Sequence, residues 1–387
     1  MGSRRPLTEH KPKLVRVLGV AHCMTRSLPV LRGRGTRNDP PNRFERLHLE
    51  LDEDEAAEEG RLRPTLYFRD AARSVLTRNR SPDVGFDWSI NPYRGCEHGC
   101  AYCYARPGHE YLGLSAGLDF ESRIMVKDDA PELLAKAIAR PGWSPTPLVM
   151  SGVTDPYQPI ERRLGLTRGC LEVLERTGHP VSIITKSRAV ERDVDLLASL
   201  SEREAATVTI SVTTLDRRLQ RSLEPRAAPP EHRLGTIEAL ARAGVPVSVN
   251  VAPVIPGLTD HEIPSILEAA ADHGATGAGM VTLRLPGAVG PLFRDWLVDH
   301  VPDRKERVLN RLRELHGGKI YDSRFGERMR GRGTYADQLQ QLFDVAARRA
   351  GLDGERRPLS TAAFRRPPQI GVRAAEDQLD LLRDLDV

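Results

Sequence analysis

The chain has 387 residues, enough for one large domain or two ordinary ones. Its apolar fraction of 40% and charged fraction of 28% are those of a globular protein, and no apolar run reaches the ~20 residues that a membrane helix needs. The basic N-terminus lacks the apolar core and cleavage site of a secretory signal, and a net charge of +4 is too small to argue by itself for a nucleic-acid partner.

In chain order, residues 1–46 are rich in Arg, Lys, Gly and Pro, with little apolar periodicity. The part up to about Leu28 reads as an unstructured basic arm or as translation begun at Met1 instead of Met24, and Cys23 within it as a bystander thiol. An acidic run, Glu50 to Glu59, reads as a solvated like-charge block. The chain enters the folded part between Thr65 and Pro82. From there, short β-branched runs alternate with amphipathic stretches, as in βα units around a parallel sheet.

The expected strands are 87–90, 147–152, 180–185, 207–213, 246–252 and 279–285. The expected helices are 131–139, 167–176, 190–199, 229–243 and 261–273. Gly178 and Gly244 each follow the last apolar turn of a helix, where a left-handed cap is expected. Six units predict an α/β fold, a partial TIM-type (βα)6 barrel with an irregular N-terminal extension and a helical C-terminal region. The expected divisions are an extension over 1–64, the barrel over 65–300, a basic helical extension over 301–352 and a tail over 353–387. Ala375 to Leu385 is expected to form a short amphipathic helix within that tail.

Three of the five cysteines, Cys96, Cys100 and Cys103, lie in the single stretch INPYRGCEHGCAYCYARPGH (90–109), spaced C-x3-C-x2-C. Thiolates are soft, strongly donating ligands for iron or zinc. Three close cysteines and two distant singles do not make a disulfide framework, so a reducing cytosol is the expected compartment. A structural zinc site wants four ligands, with His98 or His109 as candidates for the fourth. A [4Fe–4S] cluster held by three cysteines leaves one iron open to a small molecule.

In parallel βα folds, ligands bind at the C-terminal ends of the strands. The unusual words of this chain all fall there: the cysteine loop after the first strand, SGVTDPYQP after the second, TKS after the third, TT after the fourth, APVIPG after the fifth and RLPG after the sixth.

The cysteine spacing, with Tyr102 before the last cysteine, resembles the radical S-adenosylmethionine (SAM) superfamily. The words NPYRGC, GCAYCYAR, SGVTDPYQPIE, TKS, SVTT and LEPR resemble its branch related to spore photoproduct lyase, from about Arg69 to about Leu352. The resemblance implies a [4Fe–4S] cluster on Cys96, Cys100 and Cys103 whose open iron is chelated by SAM. It further implies reductive cleavage of SAM to a 5′-deoxyadenosyl radical that takes hydrogen from a substrate, fed by a one-electron donor of flavodoxin or ferredoxin type.

By position, the resemblance places the amino group of SAM at Ser151, Gly152, Val153, Thr154 and Asp155. Lys186 is expected at the carboxylate of SAM or at a substrate phosphate, and Arg226 at a carboxylate. Ser211 and Thr213 share a face of the fourth strand, where they bond the ribose or carboxylate of SAM or serve as core hydroxyls. The resemblance places the adenine at Val254, Ile255 and Pro256 with apolar groups and free backbone. Glu224 and Arg226 are expected to pair. An inward Arg284 needs an anionic partner: SAM, substrate or Glu224. Tyr93, Tyr102 and Tyr104 are candidates to shield the cluster, and Cys170 reads as buried and inert.

Spore photoproduct lyase uses a further cysteine after the second strand as a hydrogen donor. The corresponding SGVTDP has none, so the resemblance does not carry that repair route with it. The arginine-rich stretch 301–333 offers phosphate contacts to a nucleic acid, but its interspersed acids also describe a salt-bridged helix. A non-catalytic iron–sulfur or zinc protein is the alternative from another class.

Overall fold

The computed structural model describes residues 33–44, 64–354 and 358–368. Cys23, the acidic run 50–59 and the expected helix 375–385 lie outside the described residues.

The framework is a seven-stranded sheet in the order β10-β9-β8-β7-β6-β3-β2. Its strands are β2 (Leu76–Arg78), β3 (Trp88–Ile90), β6 (Leu148–Met150), β7 (Val181–Thr185), β8 (Ala206–Val212), β9 (Val247–Val254) and β10 (Gly277–Thr282). From β3 to β10 every neighbour is parallel, and β2 adds antiparallel to β3 at the edge. The six parallel strands are those expected from sequence. β10 and β2 remain the two edges, so the barrel is open and not closed.

Strands and helices form where their side chains can pack. Val208, Ile210 and Val212 alternate along β8 and are fully buried, as are Val247, Val249 and Val251 on β9. Ile237 and Leu240 of the helix Pro230–Arg242 and Ile266 and Leu267 of Ile263–Asp272 pack on these strands, and Leu171 and Leu174 of Leu166–Thr177 belong to the same core. Gly178 ends the helix Leu166–Thr177 at φ 61°, and Gly244 follows Pro230–Arg242 at φ 75°. Both are left-handed positions that glycine occupies without a Cβ penalty.

A three-stranded satellite sheet of β1 (Leu66–Arg69), β4 (Tyr93–Arg94) and β5 (Arg123–Val126), in the order β1-β5-β4, lies beside the cysteine loop. The alternation of the sequence does not announce it, because β1 is largely exposed and β4 has two residues. The C-terminal region is helical over Val289–His300, Pro302–Leu315 and Thr334–Arg349. No helix among the described residues is long and apolar enough to cross a membrane.

Residues 358–368 pack on the far end of the barrel. Arg365 N donates to Thr177 O at 2.7 Å, and Phe364 meets the edge of the His179 ring. His179 is fully buried; its Nε2 accepts from Trp143 Nε1 at 3.1 Å, which leaves Nδ1 to donate to Pro180 O. Burial pushes its pKa down to about 4, only partly offset by the Pro180 carbonyl. Below about pH 6.5 the unfolded chain takes up a proton that the folded one refuses until about pH 4. Stability therefore falls across that window as pH drops, by at most about 1.4 kcal/mol per pH unit for this group. His179→Gln, which keeps an acceptor for Trp143, is expected to flatten the dependence by up to one proton in denaturant unfolding compared between pH 7 and pH 5.

Candidate cofactor and active site

The cysteine loop sits at the C-terminal end of β3 and is held from both sides. On the outer side, residues 33–44 form a strap. The fully buried Glu121 carboxylate accepts from Gly35 N at 3.0 Å, from Thr36 N and Oγ1 at 3.1 and 3.0 Å, and from Arg106 Nη2 at 2.7 Å. Arg106, also fully buried, holds Cys100 O with Nε and Nη2 at 3.0 and 2.9 Å. Gly35 is obligatory: a Cβ there would lie 1.6 Å from Gly99 O.

On the inner side, Glu224 lies beneath the loop, fully buried, paired with Arg233 and bonded to Tyr102 Oη and Thr213 Oγ1. Burial alone would push its carboxyl up. The Arg233 and Lys186 charges and the hydrogen bonds outweigh burial and hold it at about 2. The expected Glu224–Arg226 pair is therefore corrected. Arg233, on the following helix, reaches inward, while Arg226 turns outward to Gly33 O at 3.1 Å, Thr65 Oγ1 at 3.3 Å and Glu97 at 3.7 Å.

Cys96, Cys100 and Cys103 are all free thiols. Burial pushes each of them up; Cys96 also feels Cys100 and Cys103, and Cys100 feels Cys103. The backbone N–H of Asp155 reaches the Cys96 sulfur, and that of Ala105 reaches Cys103. Among the described residues no three His, Cys, Asp or Glu side chains converge as ligands of a single ion. A cubane asks for something else, because each cysteine binds a different iron at its own corner. The donor set, three unpaired sulfurs on one loop with amides directed at two of them, fits such a cluster. His98 and His109 are not drawn to the sulfurs: His98 Nδ1 lies 3.5 Å from Asp155, and His109 Nε2 is bonded to Arg123 O.

The loop after β6 faces the cysteines. Ser151 adopts φ 86°, a conformation costly for a residue with a side chain and concentrated at functional sites. Gly152 has no room for a Cβ, which would meet Ser89 at 2.7 Å. Thr154 Oγ1 donates to Tyr93 O at 2.9 Å. The Asp155 carboxylate ties two loops together, accepting from Thr185 Oγ1, Lys186 N and Tyr157 N at 2.7, 2.8 and 2.9 Å.

Lys186, half-buried at the end of β7, makes no side-chain hydrogen bond or ion pair among the described residues, and its charge is felt by Glu224, Cys100, Cys103 and His98. Ser211 is buried, and its carbonyl accepts from Arg233. Val254 and Ile255 are fully buried at the end of β9, as apolar as expected. Their backbone is not free, however: Val254 O accepts from Leu283 N, and Ile255 N donates to Thr259 Oγ1. The tight turn over 255–259 consumes the Ile255 groups locally, and the segment after β10 takes Val254 O.

Tyr93 and Tyr102 are buried, whereas Tyr104 is 44% exposed, its hydroxyl donating to Gly152 O at 3.0 Å. Cys170 lies fully buried in the apolar core. Sequence reasoning missed Glu121, Arg106 and Arg233. Their only signal was charge at helical positions, and contact alone shows their roles.

An open parallel barrel with a three-cysteine loop at its C-terminal rim defines a class of cofactor-binding α/β protein. Residues 90–270 match the radical SAM superfamily. The uncharacterized protein Rv2578c of Mycobacterium tuberculosis is 36% identical over 243 residues, covering 62% of this chain and 70% of that one. The chain belongs to the radical SAM superfamily, which implies radical chemistry with SAM at an iron–sulfur cluster. Spore photoproduct lyase complexed with dinucleoside spore photoproduct aligns over 73% of this chain and 79% of its own, with TM-score 0.52 and 17% identity. A variant of that lyase with bound AdoMet and the same dinucleoside aligns at TM-score 0.51 and 17% identity, over 73% and 78% of the two chains. This likeness shows the fold.

Removing one partner of a buried pair costs far more than removing a half-exposed one. Glu224→Ala strands the buried Arg233 and is expected to lower unfolding free energy by about 3–5 kcal/mol. Arg226→Ala should lower it by no more than about 1 kcal/mol. Urea unfolding of the two variants side by side checks this difference.

Proposed function

We propose that this protein is a radical SAM enzyme that holds a [4Fe–4S] cluster on Cys96, Cys100 and Cys103 and binds SAM between that loop and the strand ends. When bound, the cluster and SAM together supply a 5′-deoxyadenosyl radical, for which an external donor of flavodoxin or ferredoxin type provides the electron.

The observation that carries the reading is the set of three free cysteines on one loop at the rim, with Lys186, which makes no side-chain hydrogen bond or ion pair among the described residues, just past the end of β7. In the proposal Lys186 holds the carboxylate of SAM. The constrained backbone of Ser151 and Gly152, with Thr154 and Asp155 bracing it, receives the amino group. The Ser211 hydroxyl faces the ribose, while Val254 and Ile255 form the apolar floor under the adenine through side chains alone. Arg226 acts from outside, fastening the strap to the loop. The strap and the buried tyrosines keep water away from the sulfurs, where bulk solvent would quench a radical.

The test is anaerobic reconstitution followed by dithionite and SAM. The wild type is expected to turn brown and release 5′-deoxyadenosine. Cys96→Ala, Cys100→Ala and Cys103→Ala should each lose both properties. Lys186→Ala should keep the colour and raise half-saturation by SAM about tenfold or more, the worth of a charge-assisted contact. A colourless protein carrying zinc would overturn the proposal in favour of a structural metal site. Retention on single-stranded DNA that falls with salt is the assay for a nucleic-acid substrate.

A further inference from the structure

Arg284 lies two residues beyond β10, at the opposite side of the mouth from the cysteine loop in strand order. Its guanidinium makes no hydrogen bond and no ion pair among the described residues, and its Nε is buried without an acceptor. Its one partner is a ring: the guanidinium carbon sits 4.7 Å from the centre of Tyr104, the residue after Cys103. Tyr104 in turn bonds Gly152 O, so this stack bridges the ends of β10 and β6 across the opening.

The acid within electrostatic reach, Asp83, is already engaged. It accepts from Gly326 N at 2.6 Å and pairs with Arg328, which itself lies over Phe325. The stretch that carries Arg328 runs along β10, where Thr282 N donates to Met329 O at 3.0 Å. Two arginines therefore stand at this rim against one carboxylate, and the carboxylate belongs to Arg328.

A guanidinium set over an aromatic ring, with its own donors unmet among the described residues, is suited to a planar bidentate acceptor. Lys186, proposed above for the carboxylate of SAM, lies just past the end of β7, and β8 and β9 stand between β7 and β10. We infer that Arg284 anchors an oxyanion of the substrate, a phosphate or a carboxylate, holding the molecule over the cysteine loop for hydrogen abstraction. This rests on the radical SAM reading of the site and adds the chemical class of what enters it.

The test uses the reconstituted protein and three probes at fixed ionic strength: phenyl phosphate, benzoate and phenol. At least one of the two oxyanions is expected to bind and phenol to fail. Arg284→Gln should weaken that binding about tenfold or more, Arg284→Lys should recover part of it, and Arg348→Gln, on an outer helix, should change nothing. Tighter binding of phenyl phosphate assigns a phosphate, and tighter benzoate a carboxylate. The inference is overturned if neither oxyanion binds, if Arg284→Gln binds as the wild type does, or if SAM expels the probe, which would make Arg284 a cofactor contact. Formation of 5′-deoxyadenosine is followed in the same preparations without probe. Its absence counts against the cofactor site, while probe binding judges Arg284 separately.

Discussion

The site depends on one buried carboxylate. Glu121 has no solvent exposure and gathers donors from two separate pieces of chain: the strap at Gly35 and Thr36, and Arg106 beyond the cysteines. An ionised group so placed is tolerable only because its acceptor positions are filled and a guanidinium faces it. The same bonds fix the path of the cysteine loop, since Arg106 also donates to Cys100 O through Nε and Nη2 and to Ala116 O and Gly117 O through Nη1. A loop of eight residues carrying three sulfurs has little internal means of holding a shape, and the shape comes from this clamp.

A second buried pair, Glu224 with Arg233, does the corresponding work beneath the loop. It bonds Tyr102 on one side and Thr213 on the other, so the cysteine loop is coupled to the end of β8 through polar contacts and not through apolar packing alone. Asp155 couples the loops after β6 and β7 in the same way. Satisfied networks of this kind are rigid, because each broken bond leaves a buried polar atom without a partner. Rigidity suits a site that must hold a reactive intermediate away from water. Against it stand Lys186 and Arg284, which make no side-chain hydrogen bond or ion pair among the described residues.

What the residues announced and what they concealed divide along a physical line. The six parallel strands and five intervening helices were legible because β-branched runs and 3.6-residue periodicity are local signals, punctuated by Gly178 and Gly244. The three cysteines were legible because ligand chemistry and short spacing are local too. The satellite sheet was not, since its strands are too short or too exposed to alternate. The partner of Glu224 was misread for a similar reason: Arg226 is its neighbour in sequence, but the chain turns between them and presents Arg233 instead. The backbone at Val254 and Ile255 looked available, but Leu283 N takes Val254 O and a turn closed by Thr259 takes Ile255 N.

Local composition by itself determined the kind of fold and the three thiols at one strand end, because periodicity and ligand spacing survive without knowledge of long-range contact. Only the tertiary structure decided which charges meet. Glu121 with Gly35, separated by 86 residues, and Arg328 with Asp83, by 245, are pairings that no window of sequence contains. Desolvation sets the worth of a charge, and desolvation depends on everything packed around it.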